Sequence, residues 1–198
     1  MRKLRVGLGF NNFFKRHGFE QIRYASSYSV FSDSKLGYEP FDMFNDIALI
    51  KLNLPVNVTE YVNPVCWDQK SNRPEGEDAE CYITGWGQTH GTGSSLDLKH
   101  LRVKIVDIKE CSGGYRVDEK GEAQVCIKGG ARGLGPCNGD SGGPLVCRVG
   151  NRWQLFGVTS RGVKGTALGS VCGSKDGATI YSSVFHKQKW IEEAIKSL

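Results

Sequence analysis

Long apolar runs are missing from this sequence. No stretch of about 18 apolar residues occurs, which excludes a membrane-spanning helix. Dense basic tracts are missing too. The net charge is only +5 and is scattered along the chain, so nucleic acid is not an expected partner. Histidine is scarce, at four residues, and no two cysteines show the short gap of a zinc knuckle. Both absences argue against a zinc knuckle. No leader is expected in the opening residues either. Met1-Arg2-Lys3-Leu4-Arg5 has the charge of a signal start, but the apolar stretch Val6 to Phe10 is short and Gly-rich, and Asn11-Asn12 ends it.

Apolar residues make up 39% of the 198 and charged residues 24%, with 26 glycines. That is a globular, turn-rich composition. Seven cysteines stand at 66, 81, 111, 126, 137, 147 and 172. Wide spacing in a Gly-rich chain points to disulfides and an oxidising compartment. Asn57-Val58-Thr59 is a glycosylation acceptor triplet and agrees with a secreted, extracellular location. A secreted composition with no leader, and an odd cysteine count, both lead to the expectation that a front segment is missing.

Short apolar runs separated by Gly, Pro, Asn and Asp predict an all-β fold. Strands are expected over Leu4 to Leu8, Gln21 to Ser26, Ile47 to Leu52, Cys81 to Gly85, Leu101 to Val106, Gln124 to Lys128, Pro144 to Arg148, Gln154 to Ser160 and Thr179 to Ser183. The end differs. Trp190, Ile191, Ala194, Ile195 and Leu198 share one helical face, with Lys189, Glu192, Glu193 and Lys196 mostly opposite. The polar stretch from Asp68 to Glu80 reads as a linker.

Three segments carry chemistry. Gly139-Asp140-Ser141-Gly142-Gly143-Pro144, beside Cys137, is a tight Gly-flanked turn of the kind that exposes a reactive hydroxyl. The N–H groups of Gly139 and Ser141 are candidates for an oxyanion hole. In Asn45-Asp46-Ile47-Ala48-Leu49-Ile50-Lys51-Leu52 an acid directly precedes an apolar strand. Burying Asp46 there is costly unless it is hydrogen-bonded, for example by an imidazole N–H. Thr84-Gly85-Trp86-Gly87 reads as a structural strand end.

Together with Asn63-Pro64-Val65-Cys66, these segments resemble the trypsin and chymotrypsin family of serine proteases over nearly the whole chain. The resemblance implies two antiparallel six-stranded-type barrels with the active site between them, the first barrel incomplete, and a C-terminal helix. The expected division is 1–67 for the partial first barrel, 68–80 for the linker, 81–183 for the second barrel and 184–198 for the helix. It implies Ser141 as nucleophile and Asp46 as the orienter of a histidine that should precede Asp46. Only His17 does so, in the charged context Lys15-Arg16-His17-Gly18, and it is read as a loop residue. His90, His100 and His186 match no catalytic position. The catalytic histidine is thus expected to be absent from this chain.

The family's activation frees an apolar α-amine that pairs with the acid before the nucleophile, here Asp140, and no Ile-Val-Gly-Gly-type terminus is present. The resemblance pairs Cys81 with Cys147, Cys111 with Cys126 and Cys137 with Cys172. It leaves Cys66 over, for a disulfide to a missing N-terminal segment. It places Gly135, Asn138, Ser160, Gly162 and Thr179 around the substrate pocket. An uncharged Gly135 at the pocket base, an open entrance at Gly162 and a wall narrowed by Thr179 imply a non-tryptic, chymotrypsin- or elastase-like preference. The resemblance further implies protein or peptide substrates and protease inhibitors as partners, and no metal or organic cofactor. Two function classes stand: a serine endopeptidase, or a non-catalytic homologue that acts by protein binding.

Overall fold

The computed structural model describes residues 4–31, 45–67, 74, 79–89, 96–111, 117, 122–129, 134–162 and 178–198. The first part of the chain forms a three-stranded antiparallel sheet from β1 (Arg5–Leu8), β2 (Gln21–Val30) and β3 (Ala48–Leu52). Successive β2 residues alternate between half-buried and exposed over all ten positions. That period of two is what a strand with one covered face requires. The strand runs four residues past the expected Ser26, because Ser27 to Val30 find partners along β3, and a bulge between Ala25 and Ser27 resets the register.

The second part is a closed barrel of β4 (Cys81–Gly85), β5 (Lys99–Val106), β6 (Gln124–Lys128), β7 (Pro144–Val149), β8 (Arg152–Gly162) and β9 (Ala178–Ser183). Around the barrel the order is β4-β5-β6-β9-β8-β7, with every pairing antiparallel. Closure removes the free edges that an open sheet leaves. The interior is filled by residues at alternate positions: Ile83 from β4, Val103 and Ile105 from β5, Val125 and Ile127 from β6, Leu145 from β7, Phe156 from β8 and Tyr181 from β9. Burial pushes the Tyr181 phenol well above its ordinary range, so it stays neutral in this core.

Two disulfides brace the barrel. Cys81 and Cys147 are register partners on β4 and β7 and are bonded to each other. Cys111, at the end of a 3-10 turn (Ile108–Cys111), is bonded to Cys126 on β6. Cys137 is also disulfide-bonded, and its expected partner Cys172 lies outside the described residues. Cys66 is a free thiol, half-buried.

The chain ends in a 3-10 turn (Phe185–Lys187) and α1 (Gln188–Ser197). The helix buries Ile191 and Ala194, while Trp190 meets the edge of Phe31 at 5.3 Å. Ile195 departs from the expected apolar face and is 57% exposed. It lies one position round from the narrow stripe that docks. No helix among the described residues is long and apolar enough to cross a membrane.

Backbone hydrogen bonds join the two sheets. Leu155 N–H donates to the Cys66 carbonyl at 2.7 Å, and Leu98 N–H donates to the Asn11 carbonyl at 2.7 Å. The first ties the segment after β3 to β8, and the second ties the loop after β1 to the residues before β5.

Candidate active site

Asp46 sits two residues before the start of β3, half-buried. Its shape begins with Asn45, which is buried and has φ 63°. Asn is among the few non-Gly residues that adopt this left-handed conformation readily. Its side-chain oxygen accepts a hydrogen bond from Lys187 Nζ, and the same ammonium lies 4.0 Å from the Phe31 ring centre. Lys187 is only 2% exposed, so the amide and the ring satisfy a cation that would otherwise be costly to bury.

The turn next to it points Asp46 at the second barrel. Ser160 Oγ donates to Asp46 Oδ2 at 3.0 Å, and Ser182 Oγ donates to the Asp46 carbonyl at 2.7 Å. Ser160, one of the residues expected around the substrate pocket, engages the acid with its hydroxyl. A bulge between Thr159 and Arg161 on β8 makes Ser160 the extra residue of that strand, which re-aims its side chain. Among the described residues no histidine bonds Asp46. His17 instead lies 3.4 Å from Glu20 Oε1 and stacks on Phe19. His100 stands on β5 edge-on to Tyr82, and His186 is 4.0 Å from Glu122. His90 lies outside the described residues.

The Ser141 turn is built from its own backbone. Gly139 (φ 99°) and Gly142 (φ 79°) take conformations that side chains rarely adopt, which is why glycine flanks the turn. Asp140 N–H donates to Cys137 O, Gly142 N–H to Thr159 O, and Gly143 N–H to Asp140 O, each at 2.9 Å. Of the five N–H groups from 139 to 143, those of Gly139 and Ser141 take no acceptor among the described residues. Both residues are exposed.

Asp140 turns away from Ser141 into the barrel rim. Its Oδ1 accepts Gly87 N–H at 2.8 Å and its Oδ2 accepts Cys137 N–H at 2.9 Å. This gives Gly85-Trp86-Gly87 a role that the sequence reading missed. A Cβ on either Gly85 or Gly87 would overlap the Asp140 carboxylate. The signal was a pair of glycines at and just past the end of β4, where a side chain would exclude a neighbour.

The expected pocket residues fall on two neighbouring strands and one loop. Gly162 on β8 is the register partner of Thr179 on β9, and Thr179 is buried. Gly135 has nothing within 4 Å of where a Cβ would stand. Asn138 is exposed; its carbonyl accepts Gln88 N–H at 2.8 Å and its amide donates to Gln88 Oε1 at 3.3 Å. No group of three or more His, Cys, Asp or Glu able to hold a metal occurs among the described residues.

A family model described as Trypsin matches residues 2–191. The atrial natriuretic peptide-converting enzyme of Mus musculus is 34% identical over 96% of this chain and 16% of its own length, and that of Homo sapiens is 33% identical over 96% and 17%. Coagulation factor XI of Bos taurus is 34% identical over 79% of this chain and 24% of its own length. The chain therefore spans less than a quarter of the length of these relatives. With the closed barrel, the second sheet and the C-terminal helix, these matches establish that the chain belongs to the trypsin-like family of serine proteases.

Proposed function

We propose that this chain carries the nucleophile and the orienting acid of a secreted serine endopeptidase. Ser141 attacks the peptide carbonyl. The N–H groups of Gly139 and Ser141 receive the oxyanion. Asp46 orients an imidazole that none of the four histidines here supplies. One observation carries the reading: within 139–143 the only N–H groups left without an internal acceptor, among the described residues, are the two that the chemistry needs. Asp140, the acid that the family's activation pairs with an α-amine, accepts the Gly87 and Cys137 N–H groups here, and without that amine the site stays zymogen-like. The three disulfide-bonded segments favour an oxidising, extracellular compartment.

The primary preference is for an apolar side chain of medium size before the scissile bond. Gly135 brings no charge to the pocket base, and Thr179 stands opposite the open position Gly162. Protein substrates and protease inhibitors are the partners, and Cys66 is the thiol available for a disulfide to a further segment. That no histidine among the described residues bonds Asp46 favours a second reading for these 198 residues taken alone, a homologue that binds without turnover.

A fluorophosphonate probe separates the two. A longer polypeptide that supplies the imidazole is expected to be labelled at Ser141, and Ser141→Ala to abolish labelling. The 198-residue chain is expected not to label rapidly. No labelling of either form would leave the binding homologue standing. Profiling the active form with a peptide library checks the pocket, and a dominant Lys or Arg preference would overturn that part.

A further inference from the structure

Of the nine asparagines only Asn57 has Ser or Thr two positions on, in Asn57-Val58-Thr59. Such a triplet is an acceptor for an N-linked oligosaccharide and belongs on a surface loop. The three residues lie in the stretch that follows β3, and all three are exposed. The main chain of Asn57 is bracketed by a single side chain. Gln21, the first residue of β2, donates from Nε2 to the Asn57 carbonyl at 2.7 Å, and its Oε1 accepts the Asn57 N–H at 3.0 Å. Both backbone groups of Asn57 are thus satisfied from outside. An asparagine in a loop often bonds back to its own backbone, but here the side-chain amide takes no partner among the described residues.

Thr59 closes the triplet with a turn. Its Oγ1 accepts the N–H groups of Tyr61 at 3.2 Å and Val62 at 3.1 Å, and its own N–H donates to the Val62 carbonyl at 2.9 Å. Two accepted bonds occupy the lone pairs and leave the hydroxyl proton to donate. The place on the sheet keeps the triplet away from the chemistry. Val30, at the other end of β2 from Gln21, pairs with Ala48, two residues past Asp46. The length of β2, about 30 Å at about 3.3 Å per residue, therefore separates the bracket on Asn57 from the acid. Val58 is 63% exposed and Tyr61 54%, apolar surface that a bulky, solubilising group covers.

We propose that Asn57 is a modification site that carries an N-linked oligosaccharide. The donor is a polyprenyl-pyrophosphate-linked oligosaccharide, and an oligosaccharyltransferase of the secretory compartment performs the transfer. Asn57 Nδ2 forms a bond to the anomeric carbon of the first sugar. The bond from that carbon to the pyrophosphate oxygen breaks, and the lipid pyrophosphate leaves with the electron pair. The amide nitrogen gives up one proton to a base of the transferase. The folded chain accommodates the product, because the amide stands in solvent and holds no structural bond among the described residues. The site rests on the extracellular part of the function proposed above and not on the chemistry of Ser141.

The 198-residue chain is expressed in mammalian cells behind a cleavable leader, with a flexible linker and the acceptor peptide Gly-Asn-Gly-Thr-Gly added after Leu198. The added acceptor reports entry into the lumen, and Asn57 is scored in cells and medium together, only in molecules whose added acceptor is occupied. The expected result is a chain with two oligosaccharides. Peptide N-glycosidase removes both and converts the asparagine at position 57 to aspartate, which peptide mapping detects. Asn57→Gln and Thr59→Ala are each expected to leave one oligosaccharide, and Thr59→Ser to keep two. Occupancy of the added acceptor alone overturns the proposal. A second oligosaccharide that survives Asn57→Gln overturns it as well. The leader is supplied and Ser141 takes no part, so failure of this site is distinguishable from failure of the protease reading, which the fluorophosphonate probe detects.

Discussion

Ser160 donates its hydroxyl to Asp46 across 3.0 Å and 114 positions of sequence. Thr159, the residue before it, accepts the Gly142 N–H at 2.9 Å. Two consecutive residues of β8 therefore hold the acid from the first sheet and the turn that carries Ser141. The relative placement of the two chemical groups is a property of one strand, not of two loops that happen to meet.

Ser160→Ala removes a hydrogen bond to a charged acceptor that is half-buried. The expected cost is about 1–2 kcal/mol of stability, read as a lower urea midpoint at unchanged slope. Ser182→Ala, which removes a bond to the Asp46 carbonyl only, is expected to cost about 1 kcal/mol or less. Equal and negligible effects of both would show that Asp46 is held by other means.

Gly87→Ala places a methyl group in the Asp140 carboxylate. A loss of about 1–3 kcal/mol is expected, the usual scale of overpacking. Because the clash is with one side chain, the same substitution in an Asp140→Ala background should cost clearly less. A double-mutant cycle measures the difference. Full additivity would contradict the assigned contact.

The two located disulfides close loops of different length, with sequence separations of 66 for Cys81–Cys147 and 15 for Cys111–Cys126. On the chain-entropy account, replacing the first pair by Ala should destabilise by about 4 kcal/mol and the second by about 3 kcal/mol. Chemical denaturation of the paired Ala variants gives the comparison. Non-reducing peptide mapping gives the connectivity, and Cys66 bonded to any of the other six cysteines would contradict it.

Glu20 has a carboxyl held below its ordinary range, chiefly because the His17 N–H donates to it, with Gly18 N–H adding a further bond. A depressed folded value means that the contribution to stability is present above the unfolded value, about 4.3, and is lost as pH falls through the folded one. Amide hydrogen exchange at His17 and Gly18 should accelerate over that acidic window. Glu20→Gln should remove the pH dependence. Unchanged exchange between neutral and acidic pH would contradict the assignment.

Much of the fold was legible in the sequence because strands announce themselves locally. Short apolar runs between turn residues marked all nine strands among the described residues, with boundaries near those seen. The turn around Ser141 was legible for a similar reason, since Gly139 and Gly142 are required by their own backbone angles. The extension of β2 to Val30 was less so, because its last residues are stabilised by pairing to β3 and not by any turn signal.

What only the tertiary structure decided is which distant groups meet. The sequence by itself determined that Ser141 sits on an exposed Gly-rich turn and that Asp46 precedes an apolar strand. It did not reveal that Ser160 and Ser182, 114 and 136 positions away, bond that acid. Nor did it show that Gly85 and Gly87 make room for Asp140, or that Lys187 supports Asn45. The physical reason is common to all of these. A serine, a glycine and a lysine each have many local uses, and their partners are chosen by barrel closure and by a one-residue bulge on β8, which are set by the packing of the whole sheet.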